Sequence, residues 1–524
     1  MVPETAADSI NTGYLSGQYA CYASDYYDSG VTVGSYTFYQ GGSVFSVKAN
    51  GSGSITGGEI DSNSPDKGYK NPTANGTFSG SYAVGSDNRG YLLITPQNGS
   101  TKYYALAGGK IQNGNFSTIA LTDMSDAGAS PSGKHGSGLC YKQNTAALSG
   151  STGAYVFTLR GEDAAGIPQA AASQISTVSS AVSGEMDLVD NKQLTTFSLI
   201  NGSVTNPTDT YGRITLNGGT NPLDPVLVGY LTNDSLGHAF FMYTNPHNES
   251  GNLGLMIGEA RAQSSSITSG NYPLTGAAVL YIAGHIASST GNETPGAALV
   301  QVSGNSSGDL TMNASVGNSD GTITTTLPLT QPTYTSVDHY GRSVIESGGA
   351  TNAENYLYFY NTNAAAVLFA GSGISSYASD LNGWMEPQTS SGAWAVSDLA
   401  SSYFMQKVNS NPTSNVYSGT LNIANSGALS SFAQDTGGDT WADWDEDLGN
   451  YHGSSYTGAL APDSTLDPKG AYSIFDVNLT ANGVTTISQY CAAISVDDAS
   501  SSTAKGKAVC VDMNSNPGLM IVEE

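Results

Sequence analysis

The segment richest in groups able to do chemistry is Asp435-Thr436-Gly437-Gly438-Asp439-Thr440-Trp441-Ala442-Asp443-Trp444-Asp445-Glu446-Asp447, in a stretch without Lys or Arg between Lys407 and Lys469. Carboxylates at alternate positions, Asp443, Asp445 and Asp447, offer oxygen ligands to a hard cation such as Ca2+. The EF-hand pattern is not met, because Gly449 falls one place late and no bidentate Glu follows at the required spacing. A solvated acidic loop is the plainer reading. The same segment puts Trp441 and Trp444 beside acids, which suits stacking on sugar rings or paired-carboxylate glycoside chemistry, although tryptophans in a β protein more often fill cores. Gly304-Asn305-Ser306-Ser307-Gly308 has the spacing of a nucleophile elbow, but that device needs a strand, a strained turn and a helix, and no helical pattern follows. The histidines, His135, His238, His247, His285, His339 and His452, are dispersed, with neither an HExxH motif nor a pair four apart. No catalytic constellation emerges, so the chain reads as a non-enzyme with no cofactor beyond the Ca2+ option.

Cys21, Cys140, Cys491 and Cys510 form no CxxC pair and have no His at metal-ligand spacing, which disfavours zinc. Cys491 and Cys510 lie in apolar segments on either side of the polar run Asp497-Asp498-Ala499-Ser500-Ser501-Ser502. Folding that run as a loop sets the two cysteines opposite each other on antiparallel strands, at a spacing that suits a disulfide. Cys21 and Cys140 fall near the two ends of a first repeat, so a repeat that closes on itself brings them together. Four buried free thiols are the alternative. Two disulfides imply an oxidising, extracellular or cell-surface setting.

The elements that must position these residues recur. Asp, then a Gly and a basic residue, then a strand, appear at Asp87-Asn88-Arg89-Gly90, Asp209-Thr210-Tyr211-Gly212-Arg213, Asp338-His339-Tyr340-Gly341-Arg342 and Asp467-Pro468-Lys469-Gly470, with the Asp positions 122, 129 and 129 residues apart. Upstream of each stands a Gly-containing segment read as a hairpin, including Gly51-Ser52-Gly53-Ser54 and Gly184-Glu185-Met186-Asp187-Leu188. Downstream each unit ends in an apolar strand, as in Gly138-Leu139-Cys140-Tyr141-Lys142-Gln143 and Leu381-Asn382-Gly383-Trp384-Met385-Glu386. A near-constant period marks a tandem array. About eight short strand-like runs per unit, separated by Gly, Asn, Asp and Ser, argue for an antiparallel meander able to close into a barrel. The expectation is an all-β chain of four tandem barrel-like (or sandwich) domains of about 125 residues: 1–146, 147–266, 267–388 and 389–524. In the turn motif, Asp accepts backbone N–H bonds, Gly supplies positive φ, and Arg89, Arg213, Arg342 or Lys469 pairs with its own Asp.

Leu15-Ser16-Gly17, Gly51-Ser52-Gly53-Ser54-Ile55-Thr56-Gly57-Gly58-Glu59-Ile60-Asp61, Ser79-Gly80-Ser81-Tyr82-Ala83-Val84 and Gly136-Ser137-Gly138-Leu139-Cys140-Tyr141 resemble the tandem β repeats of secreted and surface proteins from acidobacteria. The resemblance is close over 15–143 and degenerate in the other three units. It implies an extracellular location and a repeat architecture, and it brings no catalytic residue with it.

Composition sets the limits. Lys plus Arg number 17 against 43 Asp plus Glu, a formal charge of −26 that repels phosphate backbones and anionic lipid, which excludes nucleic acid and electrostatic membrane binding. No run of apolar residues is long enough to span a bilayer as a helix. The opening Met1-Val2-Pro3-Glu4 has neither the basic flank nor the apolar stretch of a leader, so the chain reads as mature or trimmed. With 64 Gly and 31 Tyr, polarity is supplied by neutral groups rather than charge. The expected function is a structural protein of the extracellular space or cell surface that self-associates into a filament or surface layer or acts as an adhesin. The alternatives are a protein that binds surface glycans and a secreted glycoside hydrolase.

Overall fold

The computed structural model describes residues 9–33, 36–64, 78–97, 101–123, 135–145, 148, 153–163, 167–190, 193–205, 210–218, 226–234, 237–243, 254–287, 293–319, 322–324, 332–346, 355–370, 379–388, 402–409, 417–426, 428–436, 456–462, 474–481, 484–495, 506–512 and 518–523. Nearly all of them lie in antiparallel strands, and among them no helix is long and apolar enough to cross a membrane. The strands form four successive barrel-like sheets, three of them closed.

In the first sheet, Ser16–Val33 pairs with Tyr36–Asn50 on one side and with His135–Lys142, the last strand of the unit, on the other. Cys21 stands opposite Cys140 in that closing register, and the two form a disulfide. The second barrel closes in the same way between Gly153–Glu162 and Leu255–Ala262, and the fourth between Ser402–Asn409 and Gly518–Glu523. Cys491 and Cys510 face each other on adjacent strands of the fourth barrel and form the second disulfide.

The third sheet has nine strands because its fourth strand is divided. Thr322–Thr324 pairs back onto Leu310–Ser319, while Thr333–Tyr334 pairs forward onto Arg342–Glu346. In the second unit one strand, Gln193–Thr205, does both. A backbone bridge between Asp309 and Thr333 joins the edges of the third sheet.

Alternation of side chains divides each barrel into an inside and an outside. Tyr19, Cys21 and Ala23 point into the first barrel with Phe45, Val47, Tyr104 and Leu121. Gln18, Ala20, Tyr22 and Ser24 point outward, yet Gln18 and Ala20 are buried and Tyr22 and Ser24 half-buried. Ala20, Val44, Leu139 and Tyr141 of the first unit form one apolar cluster with Tyr230, Phe240, Met242 and Ile257 of the second. A further cluster runs through the second, third and fourth units, from Val156 and Val189 through Tyr281 and Trp384 to Ala492 and Val509. Fully burying one such large side chain is worth about 1.5–3 kcal/mol, so packing between barrels is a main source of stability.

The four barrels close a ring. The first packs on the second, the second on the third and the third on the fourth, and the fourth returns to the first through the strands Lys102–Gly108, Thr118–Asp123, Ser402–Asn409 and Tyr417–Ile423. That last seam is joined by a bond between the Thr122 and Ser418 hydroxyls at 2.8 Å and by Gln406 Nε2 donating to the Gly138 carbonyl at 2.6 Å.

Candidate functional site: seam clamps and an axial polar cluster

The recurrent turns serve the ring more than their own hairpins. At the first turn Arg89 does pair locally, Nε donating to Asp87 Oδ2 at 2.7 Å. At the other two described turns the arginine leaves its unit, which corrects the expected local pairing. Gly212 and Gly341 sit at φ +77° and +80°, a backbone shape that glycine adopts readily. Asp338 holds its turn by accepting the backbone N–H of Tyr340 at 2.8 Å and of Arg342 at 3.0 Å.

From these turns Arg213 reaches into the first unit, where Nε and Nη2 both lie 2.8 Å from the carboxylate of Asp61, and the hydroxyl of Tyr230 donates to the same group at 2.8 Å. Arg342 does the same one unit on. Its Nε and Nη2 meet Asp187 at 2.6 and 3.0 Å, and the Tyr358 hydroxyl donates at 2.7 Å. Both aspartate side chains are 0% exposed. A bidentate guanidinium plus a phenol satisfies a buried carboxylate that would otherwise be costly. Burial, and then the neighbouring Asp61 or Asp187, push the Tyr230 and Tyr358 hydroxyls well up, so both remain donors.

A second repeated device follows the last strand of each of the first three units. Gln143 Nε2 donates to the carbonyls of Tyr211 at 2.9 Å and Leu231 at 2.5 Å. Gln263 Nε2 donates to Tyr340 at 3.0 Å and Phe359 at 2.7 Å, and Gln388 Nε2 to Ala493 at 2.9 Å. Each glutamine caps backbone of the following barrel.

At the centre, the first and last strands of all four barrels surround a cavity of about 130 Å³. Equivalent cross-strand pairs face it: Tyr22 with Leu139, Thr158 with Glu259, Tyr281 with Trp384 and Gln406 with Ile521. Residues two apart on one strand, such as Ser137, Leu139 and Tyr141, line it together, so the strands run alongside the ring axis.

Around this cavity lies a cluster of buried charges. Glu386 Oε1 accepts from Lys507 Nζ at 2.7 Å and Arg261 Nη2 at 3.0 Å, and from the Tyr281 hydroxyl. Arg261 also donates to Glu259 at 3.1 Å and to the Tyr360 hydroxyl at 2.6 Å, and its guanidinium lies 4.2 Å from the Trp384 ring centre. Burial alone would raise the Glu386 carboxyl, but Lys507 and Arg261, with hydrogen bonds from Lys507 and Tyr281, hold it well below the usual carboxylate range. His238 bridges outward, with Nδ1 2.5 Å from Asp234 and Nε2 3.5 Å from Glu259, beneath the stacked ring of Tyr141 at 4.0 Å.

A separate buried acid, Glu162, accepts the backbone N–H of Gln40 at 3.2 Å where the first two units meet. Burial pushes its carboxyl up to about 8, against an opposing pull from His285 and the Gln40 N–H, with Asp163 and Asp380 adding to the rise.

Asp209, Asp467 and Lys469, together with Trp441, Trp444, Asp443, Asp445 and Asp447, lie outside the described residues. Among the described residues no group of His, Cys, Asp and Glu is placed to hold a metal. The Gly304–Gly308 segment is a hairpin in which Asn305 Oδ1 accepts the N–H of Ser307 at 2.9 Å and of Asp309 at 3.1 Å, with no helix following. Gly184-Glu185-Met186-Asp187 is not a hairpin but the middle of the strand Ala181–Asp190, and the turn lies at Ser179 and Ser180, both at positive φ. In the sequence, Asp61, Asp187 and Glu386 stand out only as members of recurring segments, with no role of their own, and Arg261 and Lys507 do not stand out at all. A signal for the clamp was present in the repeated Gly-Glu-x-Asp of Gly58–Asp61 and Gly184–Asp187.

Compared with models of known protein families and with curated proteins, the chain matches none.

Proposed function

We propose that this chain is a non-enzymatic structural protein of the extracellular space or cell surface, in which one β module, repeated four times, closes into a rigid ring. The observation that carries the reading is the reuse of one clamp at successive seams, Arg213 and Tyr230 on Asp61, then Arg342 and Tyr358 on Asp187. In a chain with 17 basic residues against 43 acidic ones, four of the five arginines bond to another barrel, Arg160 through Asn382 and Arg261 through Glu386 besides the two clamps. Cations committed to seams hold shape. The two disulfides support an oxidising compartment, and the repeat resemblance points the same way. With the barrels' sides packed against one another, self-association into a layer or filament runs through the two faces of the ring, where the barrel ends lie.

The test is to screen the purified, oxidised chain for turnover of glycoside, ester and peptide substrates, with negative-stain microscopy over a concentration series. The reading expects no turnover and ordered assemblies at high concentration. Saturable turnover lost in Glu386→Gln would refute it, and a monomer at every concentration would remove the self-association.

A further inference from the structure

We propose that copies of this chain stack head to tail, one face of the ring docking through Ile10, Ile111 and Val178 with Lys48, Lys110 and Lys142 on the opposite face of a second copy. The inference rests on the self-association proposed above and names its contact. Among the described residues, the large hydrophobic side chains left exposed are Ile10 at 70%, Val178 at 67% and Ile111 at 38%. All three stand on the face where the first strands of the barrels begin. Ile10 precedes Ser16–Val33, Ile111 follows the end of Lys102–Gly108, and Val178 ends a strand whose Thr177 pairs with Gly153 at the start of the second barrel. Single exposed aliphatic residues are ordinary, but their confinement to one face of two neighbouring barrels marks a contact surface. Each is also held in place. Asn11 fixes the Ile10 segment, its N–H donating to the Val84 carbonyl at 3.0 Å and its Nδ2 to Asn88 Oδ1 at 2.8 Å. Ile111 belongs to the hairpin of Ile111–Gln112 with Asn115–Phe116, anchored by Phe116 in the first core. Val178 leads into Ser179 and Ser180 at φ +48° and +73°, a left-handed turn that serine adopts only at a cost, and the Ser180 carbonyl accepts the Val204 N–H at 3.0 Å.

Charge decides what lands there. On the first barrel this face presents Lys48, exposed, and Lys110 and Lys142, half-buried, with Lys142 Nζ donating to the Ser16 carbonyl at 2.9 Å. Asp87, at the adjoining turn, is taken by Arg89. The strand ends of the opposite face carry Asp123, Glu162, Asp163, Asp190, Glu346 and Asp380 against Lys102, and of these Glu346 is exposed and Asp190 half-buried. In a chain of net charge −26, three lysines gathered on one barrel end make a local reversal of sign. Two copies meeting by like faces would set lysines against lysines or acids against acids, whereas unlike faces meet with opposite signs. A contact between unlike faces along the ring axis has no rotation that closes it, so it builds an open stack.

Sedimentation velocity of the intact, oxidised chain over a concentration series tests this, with the triple variant Ile10→Ser, Lys48→Gln and Val178→Thr. All three side chains are exposed, and a thermal melt checks the fold; should the triple variant not fold, Val178→Thr alone keeps the side-chain shape. The native sedimentation coefficient should climb with concentration without a plateau at the dimer. The variant should reach the same state only at about tenfold higher concentration or more. Mixed with native chain it should shorten the stacks, because it keeps the opposite face, joins one end and accepts no further copy. Equal assembly of variant and native chain overturns the assignment of the face. A variant that neither assembles nor shortens native stacks, or native growth that stops at the dimer, shows a contact between like faces and overturns the head-to-tail order. A native chain that stays monomeric at every concentration removes the self-association itself, and this contact with it.

Discussion

Replacing Arg342 by Met tests the clamp where its consequences can be calculated. The side chain keeps most of its length and its stem, but Asp187 loses Nε at 2.6 Å and Nη2 at 3.0 Å. The carboxylate stays 0% exposed, with only the Tyr358 hydroxyl at 2.7 Å and Thr196 Oγ1 at 2.5 Å as its remaining side-chain partners. Two hydrogen bonds to a charged group at about 1.5–3 kcal/mol each give about 3–6 kcal/mol, in line with the ~3–5 kcal/mol typical of orphaning one member of a buried ion pair. Equilibrium urea unfolding of the oxidised chain, with separate probes for the separate barrels, should show this loss in the second and third units. Arg342→Met with Asp187→Asn should recover much of it, since the uncompensated charge is then gone. A loss below about 0.5 kcal/mol in Arg342→Met, or no recovery in the double variant, would refute the reasoning.

Other outcomes follow from the same structure. Glu162, with its folded carboxyl at about 8, holds a proton that the unfolded chain has already released above the ordinary Glu range, so stability from this group is full in acid and falls by about 1.4 kcal/mol per pH unit until the pH passes about 8. Glu162→Gln should flatten that slope in melts between the ordinary Glu value and about 8, and an unchanged slope contradicts the assignment. Glu386 works in the opposite sense. Its depressed carboxyl contributes stability above the usual carboxylate range and loses it in acid, and Lys507→Met should move the acid unfolding limb to higher pH. In the chain-entropy treatment, opening Cys21–Cys140, separated by 119 residues, costs about 5 kcal/mol and opening Cys491–Cys510, separated by 19, about 3 kcal/mol. Unfolding of the two Cys→Ala pair variants measures both, and the order should not reverse.

Much of the single module was legible in sequence, because its signals are local. Strand alternation, Gly and Asn turns and the period between Asp87, Asp209 and Asp338 are all set by neighbours along the chain. The pairing of Cys491 with Cys510 needed only one hairpin, and that of Cys21 with Cys140 only a barrel closing on itself. The ring was not legible, because it depends on which outward faces are apolar. His238–Tyr243 and Thr118–Asp123 are buried on both faces, and continuous apolar strands of this kind are the trace of a covered exterior. In the sequence Arg213 and Arg342 stand in turns beside a nearer Asp. Their true partners, Asp61 and Asp187, lie more than one hundred and fifty residues upstream, with sequence separations of 152 and 155. The axial set was the least accessible, since Tyr281, Glu386, Arg261 and Lys507 share no spacing and meet only when the second, third and fourth barrels converge.

Small-angle scattering from the intact, oxidised, monomeric chain bears most directly on whether the modules close a ring. A compact chain of 524 residues has a radius of gyration of about 24 Å, whereas four barrels in a line give about 35 Å or more. The ring predicts a value near the first figure with a single-peaked distance distribution. A value near the second, with a long tail, would contradict it.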